Sequence, residues 1–494
     1  MNLMRPKFTS FPPGSRPAHI ENYNQELFRF IGDSPTPFHA VENMGSYLSE
    51  RGFIRLLEGD AWNIEKNSRY YVIRNRGSII AFYTGDNRPW ETGMAICSAH
   101  TDSPCLKVKP LPMKTTGRKS TAVVGVEVYG GALLNSWLDR GLNLAGRVTA
   151  LVRYGGGREV LETFLVNFNM PLAQIPSLPI HLDREANTKR SLNAEIDLRP
   201  LVHGGGYGWN GVGSEHFIFE EFVKKQLIRE HPDSVTGDIL GFDLISDSGI
   251  GDILGFDLIS DSGIGDILGF DLIFSDADGP FYTGFDGSMI SSPRLDNLLS
   301  CHAAMNGIAL ARGKVPAMIF CADHEEVGSE TPGGARGNFF NSVLSRLVPG
   351  TENLCRAAAR SFIISWDNAH AVHPGHGELY DSSHHVYLNQ GPVLKVNASM
   401  RYASECESSA LFKLLCKRAG VPSQTFVMRS DMPCGSTIGP AVSSGAGIKT
   451  VDAGAPTLAM HAIREITGDR DPFMLLKVIE ELFSMEEPQL LSLT

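Results

Sequence analysis

The chain has 494 residues, 42% of them hydrophobic and 20% charged, with a formal net charge of -11. That length allows two or more domains and a sizeable core, while the acidic balance argues against a nucleic-acid partner, which would need clustered Lys and Arg. No run of ~18 apolar residues signals a membrane span, and eight scattered cysteines without a Cys-x-x-Cys pair fit reduced thiols in a cytoplasmic protein.

The first 20 residues carry Arg5, Lys7 and Arg16 and no acid. They have no apolar core, so they predict a disordered terminus and not a secretory signal. A helix is predicted from Thr36, with Pro37 in its first position and Phe38, Val41, Met44 and Leu48 on one face. Strands are predicted at Tyr70 to Ile73 and Ser78 to Tyr83. The buried-strand run Met94 to Ala99 then ends in His100-Thr101-Asp102. A metal-binding imidazole needs an oxygen acceptor on its other nitrogen, so His100 is a candidate ligand and Asp102 its orienting partner. At a strand end such a histidine is more often only a polar boundary.

From Val108 to Thr236 the texture becomes β-rich, with strands predicted at Thr121 to Tyr129, Leu144 to Tyr154 and Glu159 to Val166. This predicts an inserted all-β unit, residues 108–275, within a discontinuous domain formed by 1–107 and 276–494. His181 sits between apolar neighbours there, and a structural histidine is the default reading. Residues 237–250 read GDILGFDLISDSGI, 251–264 repeat them without change, and 265–273 begin a third copy. The third copy, leading into Asp276, is expected to form the strand, with the first two accommodated as loop, since loop-closure cost rises slowly with length. Calcium binding by its aspartates lacks EF-hand spacing.

Asp296 precedes a helical run that ends at Gly313, and reads either as an N-cap or as a carboxylate able to bridge two cations. The strand Ala317 to Cys321 runs into Asp323-His324-Glu325-Glu326. Two adjacent acids at a strand end point in different directions, so one can hold a cation while the other faces a water; alone, such a pair is most often a solvated turn. The apolar run Ser361 to Trp366 ends at Asp367-Asn368-Ala369-His370, repeating the pattern. Further strands are predicted near Val393 to Val396, Gln424 to Met428 and Ile448 to Asp452, followed by His461 and a final helix from Asp471. Polar residues just past the carboxyl ends of strands that alternate with helices point to an open α/β sheet with a site at those ends. Nitrogen and carboxylate ligands without sulfur suit zinc or a harder divalent ion such as manganese or cobalt.

Collected, SAHTDSPCLKVKP (98–110), GVEVYGGALLNSWLDRGLNLAGRV (125–148), SPRLDNLLSCHA (292–303), DHEEVGS (323–329), NAHAVHP (368–374), RSDMPCGSTIGP (429–440) and AMHAIRE (459–465) resemble the aspartyl aminopeptidase family of dinuclear zinc metallopeptidases. The resemblance implies an α/β, mixed-sheet catalytic domain with helices on both faces and an inserted β dimerisation domain. It implies two metal ions bridged by Asp296, with His100 and Asp367 completing one site and Glu326 and His461 the other, and Glu325 as general base. His181 would then reach a neighbouring protomer's site in a dimer that builds to a dodecamer. Lys395 would meet the acidic side chain of an N-terminal Asp or Glu, and His370 would hold substrate or the transition-state oxygen. Neutral specificity and a catalytically silent scaffold are the alternatives. The tandem copies, and Asp276-Ala277-Asp278-Gly279-Pro280 in place of a more usual Asp-Thr-Gln-Pro, depart from the family pattern.

Overall fold

The computed structural model describes residues 16–116, 121–154, 157–204, 215–232 and 264–486. Among the described residues two compact units emerge: one within Cys105–Asp278, and a second made of 16–104 with 279–486. The basic residues Arg5 and Lys7 and the first two tandem copies up to residue 263 lie outside the described residues.

The second unit is built on a nine-stranded mixed sheet. Its strands follow the order Ile54–Arg55, Arg69–Arg74, Ser78–Tyr83, Ala317–Ala322, Ala95–His100, Phe362–Trp366, Lys449–Gly454, Val393–Val396 and Gln424–Val427. The four strands from Ala317–Ala322 through Lys449–Gly454 are mutually parallel. They are apolar on both faces because both faces are covered. Alternate side chains explain how: Cys97, Ala99, Ile319, Cys321 and Ile364 join one core with Leu27, Val41, Leu299, Phe412 and Leu475 from helices. Ile96, Phe320 and Ile363 face the opposite core with Phe339, Val343, Ile438 and Val442. Each fully buried Leu, Ile, Val or Phe among them contributes about 1.5–3 kcal/mol relative to exposure.

Helix Pro37–Glu50 begins as expected, with the Thr36 hydroxyl accepting the His39 N–H. Parallel packing is tightest where Gly454 passes the Asp367 backbone: a Cβ there would lie 1.8 Å from the Asp367 carbonyl oxygen. No larger residue fits that approach.

A second, five-stranded sheet in the same unit was not legible in the sequence. Its order is Phe281–Thr283, Met289–Ser292, Glu465–Gly468, Pro456–Leu458 and Ala369–His370. Helix Leu295–Ala309 leaves this sheet with residues Leu295 to Ile308 all buried. Asp296 is not its N-cap. Its backbone is non-helical (φ -82°, ψ 103°) and the helix start has no side-chain cap.

In the Cys105–Asp278 unit, strands Ile264–Asp276, Cys105–Thr116, Thr121–Tyr129, Leu201–His203, Ala173–Gln174 and Gly141–Tyr154 form a closed ring. Ile264–Asp276 pairs with both Cys105–Thr116 and Gly141–Tyr154, and Arg158–Asn167 adds to the latter. The ring closes through short links, two residue pairs between Ile264–Asp276 and Cys105–Thr116 and one between Leu201–His203 and Ala173–Gln174. The third tandem copy supplies most of the closing strand: Asp271 there is paired by Lys107 and Arg147, and Leu272, with Phe274 just past the copy, is fully buried. The unit is not purely β. Helix Glu215–Glu230 buries Phe219, Val223 and Leu227, an i, i+4, i+8 stripe that the surrounding β-rich composition masked. Among the described residues no helix is long and apolar enough to cross a membrane.

Candidate metal centre

Strand register assembles the first half of the site. Ala322 lies beside His100 and Ser365 beside Ser98. The residues just past the ends of three neighbouring parallel strands, Glu325 and Glu326, His100, and Asp367, therefore emerge side by side. The second half comes from the five-stranded sheet. Met289–Ser292 leads to Asp296, and His461 lies in the turn between Pro456–Leu458 and Glu465–Gly468.

Among the described residues, His100, Asp296 and Asp367 form one group of ligand atoms within 4.8 Å of one another, and Asp296, Glu326 and His461 form another. Asp296 is common to both. His100 Nε2 lies 3.4 Å from Asp296 Oδ1 and 3.8 Å from Asp367 Oδ2, and His461 Nε2 lies 3.6 Å from Asp296 Oδ2 and 3.3 Å from Glu326 Oε1.

The donor set fits divalent cations. Asp296 Oδ1 and Glu326 Oε1 are buried without a hydrogen-bond partner, a costly state that a metal ion would relieve. Taken as protein alone, the cluster is electrostatically frustrated. Burial pushes the Glu325 carboxyl up to about 8; His100 opposes this, while Asp367, Asp102 and Asp296 reinforce it. Glu326 is raised well above the usual carboxylate range by burial, against His461. Burial works against charge on His461, but its bond to Asp296 and the Glu326 charge outweigh it and lift the imidazole to about 10. These opposed shifts mark groups competing for too little positive charge.

The glutamate pair sits on a short 3₁₀ turn, Glu325–Val327, entered through His324 at φ 64° and left through Gly328 at φ 99°. Asp102 holds that turn: its Oδ1 accepts the Glu325 N–H and its Oδ2 the Glu326 N–H, both at 3.1 Å. His100 Nδ1 is 3.0 Å from the Asp102 carbonyl oxygen and 3.4 Å from Oδ1. Asp102 thus touches the histidine through its backbone and the glutamates through its side chain.

The model for the family described as Aminopeptidase I zinc metalloprotease (M18) matches residues 30–483. The chain belongs to the M18 family. It is a metallo-aminopeptidase of that zinc-dependent type. A probable M18 family aminopeptidase 2 of Pseudomonas aeruginosa (strain LESB58) is 42% identical over 465 residues, covering 94% of this chain and 98% of the relative. The cryo-EM structure of the Ape4 and Nbr1 complex matches with a TM-score of 0.83 at 32% identity, over 94% of this chain and 86% of that one. The S. cerevisiae mApe1 dodecamer matches at 0.76 and 25% identity, over 96% and 98%.

The remaining M18 candidates fall in different places. His370 ends the strand Ala369–His370, its ring 5.7 Å from that of Phe426. Burial, then Lys395, lowers its pKa to about 4, so the imidazole is neutral at pH 7. His181 is exposed in the Cys105–Asp278 unit, where Leu178, Ile180 and Leu182 are exposed with it. Lys395 departs from the sequence expectation. It is buried, and Nζ donates to Asp367 Oδ1 at 2.8 Å, to the Asp367 carbonyl at 3.2 Å and to the Asn368 carbonyl at 2.8 Å. An ammonium has three protons. All three are committed to the chain's own oxygens, leaving none for a substrate carboxylate.

The sequence reading missed Glu465. Buried beside the cluster, it accepts backbone N–H groups of Asp296 and His461. An acid four residues after a candidate ligand histidine was the available signal, of the same kind as Asp102 after His100.

Proposed function

We propose that this M18 aminopeptidase hydrolyses peptides at a free N-terminus with two divalent ions, one held by His100 and Asp367, the other by Glu326 and His461, and both by Asp296. The observation that carries this is the sharing of Asp296 between the two ligand groups, with buried oxygens that no protein donor satisfies. Zinc suits the donor set at both positions, and manganese or cobalt at one. When bound, such ions supply Lewis acidity toward the scissile carbonyl and lower the pKa of a water. Glu325, in neither of the groups that share Asp296, takes the proton from the attacking water and delivers it to the leaving amine. Its backbone is held by Asp102; its carboxylate also comes within 4.8 Å of ligand atoms of His100 and Glu326, and the base role assigns it to the water and not to a metal. His370, neutral and beside the centre, offers a hydrogen bond to substrate or to the developing oxyanion.

The acidic preference, Asp before Glu, rests on the family resemblance, within which the Lys395 stretch carried the expectation. The commitment of Lys395 to Asp367 favours a second reading, neutral specificity. Metal-reconstituted protein assayed on Asp, Glu, Ala and Leu aminoacyl substrates separates them: equal rates on Leu and Asp would remove the acidic assignment, and no cleavage by protein holding two metals would remove the enzyme reading.

The inserted unit is read as the self-association surface. Leu161, Leu178, Ile180, Leu182 and Ile196 are exposed there, the kind of apolar exposure that a second copy covers. The mApe1 relative is a dodecamer, and in the same arrangement His181 would approach a neighbour's site. Light scattering that returns a monomer would reject this.

A further inference from the structure

Glu465 takes no part in the chemistry above, yet its carboxylate lies between two residues on which that chemistry depends. It is 2% exposed and opens strand Glu465–Gly468 opposite Ser292. Its oxygens are divided: Oε2 accepts the Asp296 N–H and Oε1 the His461 N–H, each at 2.9 Å. One side chain thus ties together two backbone segments separated by 165 positions in the chain, 461 less 296.

Both segments need holding. Asp296 sits in a non-helical first turn, and His461 has φ 67°, in the left-handed region that residues with a Cβ occupy at a cost. Each N–H meets a different oxygen of the side chain, so the arrangement uses two acceptor atoms on one group, as a carboxylate provides. A glutamine satisfies one N–H and turns its own amide protons toward the other.

We propose that Glu465 is a positioning residue for the metal centre: it sets Asp296 and His461 at the separation the shared ion pair needs before any metal arrives. The inference rests on the assignment of those two residues as ligands. Partners that orient metal ligands in this way change affinity about 10- to 100-fold when removed. A residue that merely supported the fold would instead lower stability without a selective effect on metal.

The test uses the full chain, stripped with chelator and titrated with Co²⁺ by calorimetry and visible absorption. Glu465→Gln is expected to bind one Co²⁺ equivalent about 10- to 100-fold more weakly, with an altered absorption band. Its kcat should recover as Co²⁺ is raised, at unchanged KM. Two equivalents bound with wild-type affinity and spectrum would overturn the proposal. His461→Ala tests the assignment underneath. If it too keeps two wild-type equivalents, the ligand set is wrong; if it loses one while Glu465→Gln loses none, only the positioning role fails. Should Glu465→Gln not fold, Glu465→Asp draws both oxygens back by one methylene and carries the same measurement, with wild-type affinity again the overturning result.

Discussion

The nine-stranded sheet delivers its candidate ligands from the ends of adjacent parallel strands, whereas the five-stranded sheet delivers the candidates Asp296 and His461 from turns. In the first, hydrogen-bonded register already sets the spacing: His100 and the residues following Ala322 and Trp366 are brought into line by the ladder itself. In the second, the ligands are held by an added carboxylate, Glu465. Register alone does not finish the first half, since Asp102 accepts the backbone N–H groups of the glutamate turn and Lys395 pairs with Asp367. The difference is that the ladder sets the spacing between segments in the first half, whereas in the second a side chain sets it.

The largest expected effect lies on the strand-end side. Glu325→Gln should lower kcat by about 10²- to 10⁴-fold, the usual contribution of a proton-transfer group, while metal analysis still finds two equivalents. Loss of metal together with activity would make Glu325 a ligand and blur the distinction from Glu326.

Lys395→Met should come next. It removes the cation that holds Asp367, so metal affinity at that position should fall about 10- to 100-fold. The ratio of rates on Asp and Leu substrates should hold steady once metal is saturating. A collapse of that ratio at full metal occupancy would return Lys395 to substrate recognition.

A smaller effect separates the helix behind Asp296 from the sheets. His302 is fully buried between Tyr23 and Phe30, with Asn306 beside Nε2. Burial lowers its pKa to about 3. The unfolded chain takes up the proton near pH 6.5 and the folded chain does not, so stability is full above that pH and lost as pH falls toward 3. The slope is roughly 1.4 kcal/mol per pH unit. Thermal midpoints measured across pH 4 to 7 should therefore decline less steeply in His302→Phe than in wild type; parallel curves would show that other groups set the acid limit.

The smallest effect is expected from deleting residues 237–264. Most of the closing strand is formed by the third copy, so soluble yield and activity should be unchanged. Loss of soluble protein would mean that the earlier copies carry structure of their own.

Much of the first half of the site was legible because it follows from short-range rules. An apolar run that stops at a polar residue marks a strand end, and His100, Glu325, Glu326 and Asp367 all lie at such stops. The second half was less legible: Asp296 read equally as a helix cap or a bridging carboxylate, His461 was one turn histidine among several, and only the resemblance assigned them their places.

What the sequence determined by itself was the alternation of apolar runs, the polar residues at their ends and the family motifs, because each is written within a few consecutive residues. Only the tertiary structure decided that Lys395 spends its charge on Asp367, that Asp102 holds the glutamate turn, and that Glu465 joins Asp296 to His461. The reason is physical. A buried charge takes whichever partner the packed chain brings within about 3 Å, and that partner can lie anywhere in the sequence.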